Sequence, residues 1–182
     1  MLKHRPAEKE ATMTNRKDIA DLMTQGMSEF IGNNYEKSIQ FFSEVISIEP
    51  DNRLALISRG SAFLKTGKVT SSIEDFDRVI QQFPEYAKGW HLRGLAREKK
   101  GDDIGALSDF DQAIGLDPEY GAAYYSRAGL HNRMGMEGMA ANDIQMVTHL
   151  TSRNVESYAG ENNVWHTQHF RVEEMMESEL NR

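Results

Sequence analysis

Residues 87–120 read AKGWHLRGLAREKKGDDIGALSDFDQAIGLDPEY, and this stretch decides the fold. Within it, Ala87–Lys100 and Ile104–Leu116 each carry apolar residues three and four apart, the spacing of an amphipathic helix. Gly101-Asp102 between them is a turn signal. Pro118 cannot continue the second helix, so the chain must turn there. Gly94 and Ala106 are small at the places where two paired helices would approach closely, and Phe110 is expected to fill the space beside them.

Outward from this stretch the same pattern recurs. Pro50, Pro84 and Pro118 lie 34 residues apart, as do Gly26, Gly60 and Gly94, and Phe42, Phe76 and Phe110. Gly67, Gly101 and Gly135 keep the step, and so do the small residues Ser38, Ser72, Ala106 and Ala140. Independent columns sharing one period mark an internal repeat. The pattern resembles the tetratricopeptide repeat, a 34-residue helix–turn–helix unit with a Trp, Leu-Gly, Tyr, Ala, Phe and Pro signature. The third repeat matches it at Trp90, Gly94, Ala106, Phe110 and Pro118 and departs from it at Arg93 and Arg97. The second matches at Gly60, Phe63, Phe76 and Pro84, with Leu56 in place of the Trp. In the first, Gly26, Tyr35, Phe42 and Pro50 match and Leu22 replaces the Trp. The fourth keeps Ala140 and an aromatic at Tyr124, but Ala128, Ile144 and Ser152 replace the Gly, Phe and Pro.

The resemblance covers about residues 19–152. It implies an all-α, right-handed superhelix (an α-solenoid) of four units, at about 19–52, 53–86, 87–120 and 121–152, within 18–152. A C-terminal capping or extension helix is expected in 153–182. Residues 1–17 are charged and lack a repeat match, so a mobile leader, with helix allowed near its end, is expected there, and Thr14 and Asn15 are candidate caps of the first repeat helix.

Charges follow the period as well. Arg59, Arg93 and Arg127 are 34 apart, and so are Asp75, Asp109 and Asp143. The first repeat has Gln25 and Phe41 at these places, so both charges are lost together, as a contacting pair would require. Arg93 is expected to pair with Asp109 or Asp111, and Arg59 with Asp75 or Asp77; the alternative is unrelated surface charge.

The tail continues the apolar rhythm. Tyr158 lies 34 after Tyr124, and Val155, Tyr158, Asn162, Trp165, His169, Val172 and Met176 alternate steps of three and four. One helix from about 155 to 180 would be roughly 39 Å long; two helices hinged near residues 160–163 are the alternative. Tyr158 and Trp165 would then close the core of the fourth repeat. Val172, Met175 and Met176 would point toward a second molecule or fold back on a groove.

Composition narrows the function. At 182 residues the chain is about the size of one domain, with no apolar run long enough to span a membrane and no apolar core after Met1–Pro6 to make a secretory signal. The absence of cysteine excludes disulfides, thiolate nucleophiles and cysteine metal sites. A net charge of −7 argues against a general nucleic-acid binder. No dinucleotide, phosphate-loop or nucleophile-elbow motif is present. His166 and His169 have a spacing metals can use, but no third ligand is evident. The expectation is a non-enzymatic cytoplasmic protein with no catalytic residue, cofactor or metal.

The resemblance implies that the first helix of each unit lines a concave face that binds extended or helical peptides. Helical phase selects Met23, Met27, Leu54, Ile57, Ser58, Ser61, Lys88, His91, Leu92, Leu95, Tyr125, Ser126 and Gly129 for that face; a phase error of one residue would send some of them to the core. Lys65, Lys99 and Arg133 form a cation column at its border, broken by Ile31 in the first repeat. They either stabilise the helix dipoles or meet acidic groups on a partner. Some members of the family grip chaperone tails with a clamp of Lys, Asn, Asn, Lys and Arg. The matching positions here hold Met23, Met27, Ser58, Lys88 and Leu92, so only Lys88 agrees; one repeat further on, Ile57, Ser61, Leu92, Ala122 and Ser126 give no match. The expected function is an adaptor or scaffold that binds a peptide or amphipathic helix of another protein in an apolar groove. The alternative is a structural protein that oligomerises through its C-terminal helix.

Overall fold

The computed structural model describes the backbone of residues 5–162 and the side chains of residues 18–153. Among the described residues there are eight α-helices and no strand: α1 (Arg5–Ile31), α2 (Tyr35–Ile48), α3 (Arg53–Lys65), α4 (Val69–Gln82), α5 (Ala87–Lys100), α6 (Asp103–Leu116), α7 (Gly121–Arg133) and α8 (Glu137–Asn162). The turn inside each helix pair carries a left-handed residue, for example Gly67 (φ 79°) and Gly101 (φ 87°). The first pair uses Asn33 at φ 62°, since asparagine tolerates this conformation better than most side chains. The turns between pairs hold Pro50, Pro84 and Pro118, as expected. Two helix starts are capped by side chains: Asn52 accepts from the Ala55 amide at 2.9 Å and Asp102 from the Gly105 amide at 3.0 Å.

The chain divides after Ala123 into two compact units. In the first, each helix packs on the next from α1 to α6, and the first helices also touch directly, α1 with α3 and α3 with α5. The glycine and phenylalanine columns explain how the pairs close. A Cβ on Gly26 would sit 2.6 Å from Phe42 Cε1, one on Gly60 2.7 Å from Phe76 Cε1, and one on Gly94 2.5 Å from Phe110 Cε1. Phe42, Phe76 and Phe110 are completely buried against those bare backbones. Between the pairs, Val45, Ile46, Ala55, Leu56, Ile57 and Val79 form one core cluster, and Ala87, Ala113 and Ala123 another.

The arginine column pairs as expected. Arg59 Nε and Nη2 donate to Asp75 at 2.9 and 2.7 Å, and Arg93 Nε and Nη2 donate to Asp109 at 3.0 and 2.7 Å. Each arginine also reaches back one unit: Arg59 Nη1 donates to Ser43 Oγ at 3.1 Å and Arg93 Nη1 to Asp77 Oδ1 at 2.7 Å. These guanidiniums therefore fasten neighbouring pairs as well as their own.

In the second unit, Arg127 Nε and Nη2 bind Asp143 at 3.0 and 2.6 Å, and His131 Nδ1 lies 3.1 Å from the same carboxylate. Here the glycine is Ala128 and the phenylalanine is Ile144. An added Cβ leaves no room for a phenyl ring in that position, so the two changes go together. Ala128 is buried, while Ile144 is 45% exposed.

Two boundaries differ from the sequence reading. Residues 5–17, expected as a leader, form one helix with the first repeat, so Thr14 and Asn15 lie inside α1 and do not cap it. The physical reason is composition: Ala7 to Asp21 holds three Ala, two Glu and two Lys and contains no Gly or Pro, while Pro6 sits in the first turn, where its missing N–H costs nothing. The second departure is at the other end. No separate helix begins near 155; α8 runs through Ser152 to Asn162. Ser152 stands where the other repeats have proline, so nothing forces a turn. Tyr158 is therefore part of α8. Trp165, His166, His169, Val172, Met175 and Met176 lie outside the described residues.

Candidate functional site

The first helices α1, α3 and α5 repeat the same helical phase every 34 residues, so their outward positions recur at fixed places. One row holds Leu54 and Lys88, the next Ser58 and Leu92, the next Met27, Ser61 and Leu95, and the last Ile31, Lys65 and Lys99. Leu54 is 58% exposed, and Met27, Ile31, Lys65, Lys88 and Lys99 are exposed as well. Met23, Ser61, Leu92 and Leu95 are half-buried. Two contacts tie the helices together on this side: Ser58 Oγ donates to Met27 Sδ at 3.7 Å, and Lys99 Nζ donates to the Leu64 carbonyl at 2.7 Å.

Three residues selected for the face turn inward. Ile57 is only 7% exposed and belongs to the core cluster against which Ile19, Leu22 and Met23 pack, so it faces α1. Ser58 is buried by its contact with Met27. His91, at 6% exposure, sits against the Phe110 and Tyr120 rings, with Nδ1 3.0 Å from Tyr120 Oη. Burial pushes its pKa down from 6.5 to about 4, with the Lys88 charge adding to the effect, so the ring is neutral near pH 7. Ile57 and His91 are thus part of the packing beneath the face, against the α1 side and against Phe110 and Tyr120 respectively.

The cation column sits at the helix ends. Lys65, Lys99 and Arg133 each fall in the last turn of their helix, where a cation is favourable by about 0.3–1 kcal/mol. Lys99 does more, since its ammonium satisfies a carbonyl at the end of the neighbouring α3. Tyr125 and Arg133 belong to the second unit, where both are exposed. That unit also exposes Met134, Met136, Met139 and Met146, which sequence phase did not single out. Arg53, likewise overlooked, lies 5.0 Å from the Phe83 ring centroid and 4.5 Å from that of Tyr86. Its signal was weak, because neither aromatic belongs to the 34-residue signature.

Among the described residues, no group of three His, Asp or Glu side chains is placed to hold a metal ion. No helix among them is long and apolar enough to cross a membrane.

The tetratricopeptide repeat model matches residues 87–120, the stretch whose reading decides the fold. No curated protein sequence matches the chain. Among solved structures, MamA from Desulfovibrio magneticus RS-1 (residue 41 to the end) is 20% identical at a TM-score of 0.68, covering 82% of this chain and 88% of that one. The Sgt2 TPR domain from Aspergillus fumigatus is 24% identical at 0.61, covering 64% and 79%. The first TPR of Spaghetti (RPAP3), solved bound to the HSP90 peptide SRMEEVD, is 19% identical at 0.61, covering 65% and 94%. Residues 87–120 match the tetratricopeptide repeat, the same period runs through the other pairs, and the chain has the fold of these tetratricopeptide-repeat structures.

Proposed function

We propose that this chain is a non-enzymatic adaptor or scaffold that binds a peptide or amphipathic helix of another protein on the outward side of α1, α3 and α5. The observation that carries this reading is the exposed apolar group Met27, Ile31 and Leu54, lying in register with Lys65, Lys88 and Lys99. Large apolar side chains left in water on one side of a helix array commonly mark interaction surfaces. Methionine adds adaptability to such a surface. The HSP90 peptide bound by the RPAP3 domain is not the expected ligand, because of the five clamp positions only Lys88 has a matching residue. The exposed methionines of the second unit favour self-assembly through the C-terminal region as a second reading.

The test is selection of binders from a displayed library of random 15-residue peptides, followed by mapping of amide shifts by nuclear magnetic resonance. Selected peptides should shift amides of α1, α3 and α5 and lose binding to a Met27→Glu, Leu54→Glu variant whose circular dichroism is unchanged. Ile57 is unsuitable for this purpose, since a glutamate there would enter the core. Shifts confined to α2, α4 and α6 would refute the assignment of the face.

A further inference from the structure

The α3–α5 part of the first-helix face is cationic in a chain of net charge −7. Three cations in α3 and five in α5 stand against a single carboxylate, Glu98, whereas α1 carries Asp18, Asp21 and Glu29. Arg59, Arg93 and Arg97 are matched internally by Asp75, Asp77 and Asp109, and Arg53 lies over two aromatic rings. The exposed Lys65, Lys88 and Lys99 remain without a carboxylate partner among the described residues, beside exposed Met27 and Leu54. A ligand for this face should therefore be acidic and apolar together, with flexible apolar side chains.

The chain itself holds such a segment. Residues Val172–Leu180 read VEEMMESEL, with four glutamates and no cation. Their apolar members, Val172, Met175, Met176 and Leu180, fall at the three- and four-residue spacing of an amphipathic helix. A tail that docks on another copy links molecules, so solution mass reads the contact directly.

We propose that the face formed by α1, α3 and α5 takes the acidic, methionine-containing segment Val172–Leu180 of a second copy of this chain. This rests on the reading that the face binds peptides. The contact is heterologous, a tail against a groove, so it either closes reciprocally into a dimer or propagates into longer assemblies.

Analytical ultracentrifugation of the full chain over a range of concentrations tests it. The wild type should gain mass with concentration, and less so at high salt, because exposed charges are screened. A groove variant, Lys65→Glu with Lys88→Glu, and a tail variant, Glu173→Lys with Glu174→Lys and Glu177→Lys, should each raise the dissociation constant about tenfold or more. Lys99 is left intact because its bond to Leu64 ties α5 to α3. Circular dichroism confirms that the variants remain folded. Mixing the two variants should restore association, since the reversed charges now face each other. Three results overturn the proposal: a wild type that stays monomeric throughout, variants that associate as the wild type does (pointing to the exposed methionines of α8 and the turn before it), or a mixture that fails to recover. If library peptides still bind the face in any of these cases, the peptide-binding reading stands and only the self-recognition falls.

Discussion

Asp109 is 1% exposed, yet it is a charged group, and it survives burial by holding Arg93 through two hydrogen bonds and Arg97 through a 3.0 Å ion pair. A buried carboxylate without such partners would be strongly destabilising. The paired columns of Arg and Asp made this contact readable from sequence, because both charges vanish together in the first repeat. The backward bond from Arg93 to Asp77 was not readable as such. Position 77 is as far before the arginine as 109 is after it, so spacing alone offers both without ranking them. His91 resisted sequence reading differently: its row carries Met23, Ile57 and Tyr125, a mixture that suits either a groove or a seam. Its burial has a measurable consequence. The folded-state pKa is depressed from 6.5 to about 4, so the unfolded chain binds the extra proton first as pH falls. The stability contributed by the neutral ring is complete above pH 6.5 and is lost as pH falls toward 4, by about 3 kcal/mol in all. Urea unfolding of wild type and His91→Gln across this range should show their stability difference shrinking by about that amount. A difference that stays constant with pH would contradict the burial of a neutral imidazole.

At the scale of the element, the helix pair is specified by one close approach. Gly94 is bare because Phe110 Cε1 occupies the place its Cβ would take. Gly94→Ala should therefore destabilise by about 1–3 kcal/mol through overpacking, although alanine is the better helix former. The fourth repeat supplies the compensating change, since Ala128 there is accompanied by Ile144. Adding Phe110→Ile to Gly94→Ala should recover part of the loss, and a double-mutant cycle by thermal or urea unfolding should give a favourable coupling of about 0.5–3 kcal/mol. Additive effects would mean that the ring and the backbone do not share that space. Helix ends were legible wherever punctuation was strong. Pro50, Pro84 and Pro118 fixed three boundaries, and Gly67 and Gly101 two more. The reading departed from the structure where punctuation was missing, at residues 5–17 and at Ser152, because continuing a helix needs no signal. On the candidate face, Met27, Leu54, Lys65, Lys88 and Lys99 were found exposed as expected, while Ile57, Ser58 and His91 were not. A 100° step per residue separates groove from seam, and no side-chain type marks that border.

At the scale of the molecule, the first unit is built so that each helix pair touches only its neighbours. Period was therefore enough to read its architecture, since every repeat solves the same packing problem. The division of the chain after Ala123 was not legible, because the 34-residue step passes through it without a break. Neighbour-only contact also bears on how the unit opens. Stability in such arrays approximates a sum of repeat and interface contributions, so an end pair can open without its neighbours while a middle pair cannot. The end pair α1–α2 is held by Phe42 on Gly26 and by its packing on α3. The middle pair α3–α4 is held by Phe76 on Gly60 and has neighbours on both sides. Truncating either ring to alanine should cost about 3–5 kcal/mol locally. Hydrogen exchange should then separate the two cases. Phe42→Ala should speed exchange in α1 and α2 by about two orders of magnitude or more while α5 and α6 keep their protection. Phe76→Ala should speed exchange in α1 through α4 together, because α1 and α2 lose their only support when the middle pair opens. The candidate face on α1, α3 and α5 would lose its shape in the second variant but keep its cationic α3–α5 half in the first, and peptide capture should follow the same order. If Phe42→Ala instead speeds exchange equally from α1 to α6, the unit opens as one cooperative block and neighbour-only coupling does not govern it.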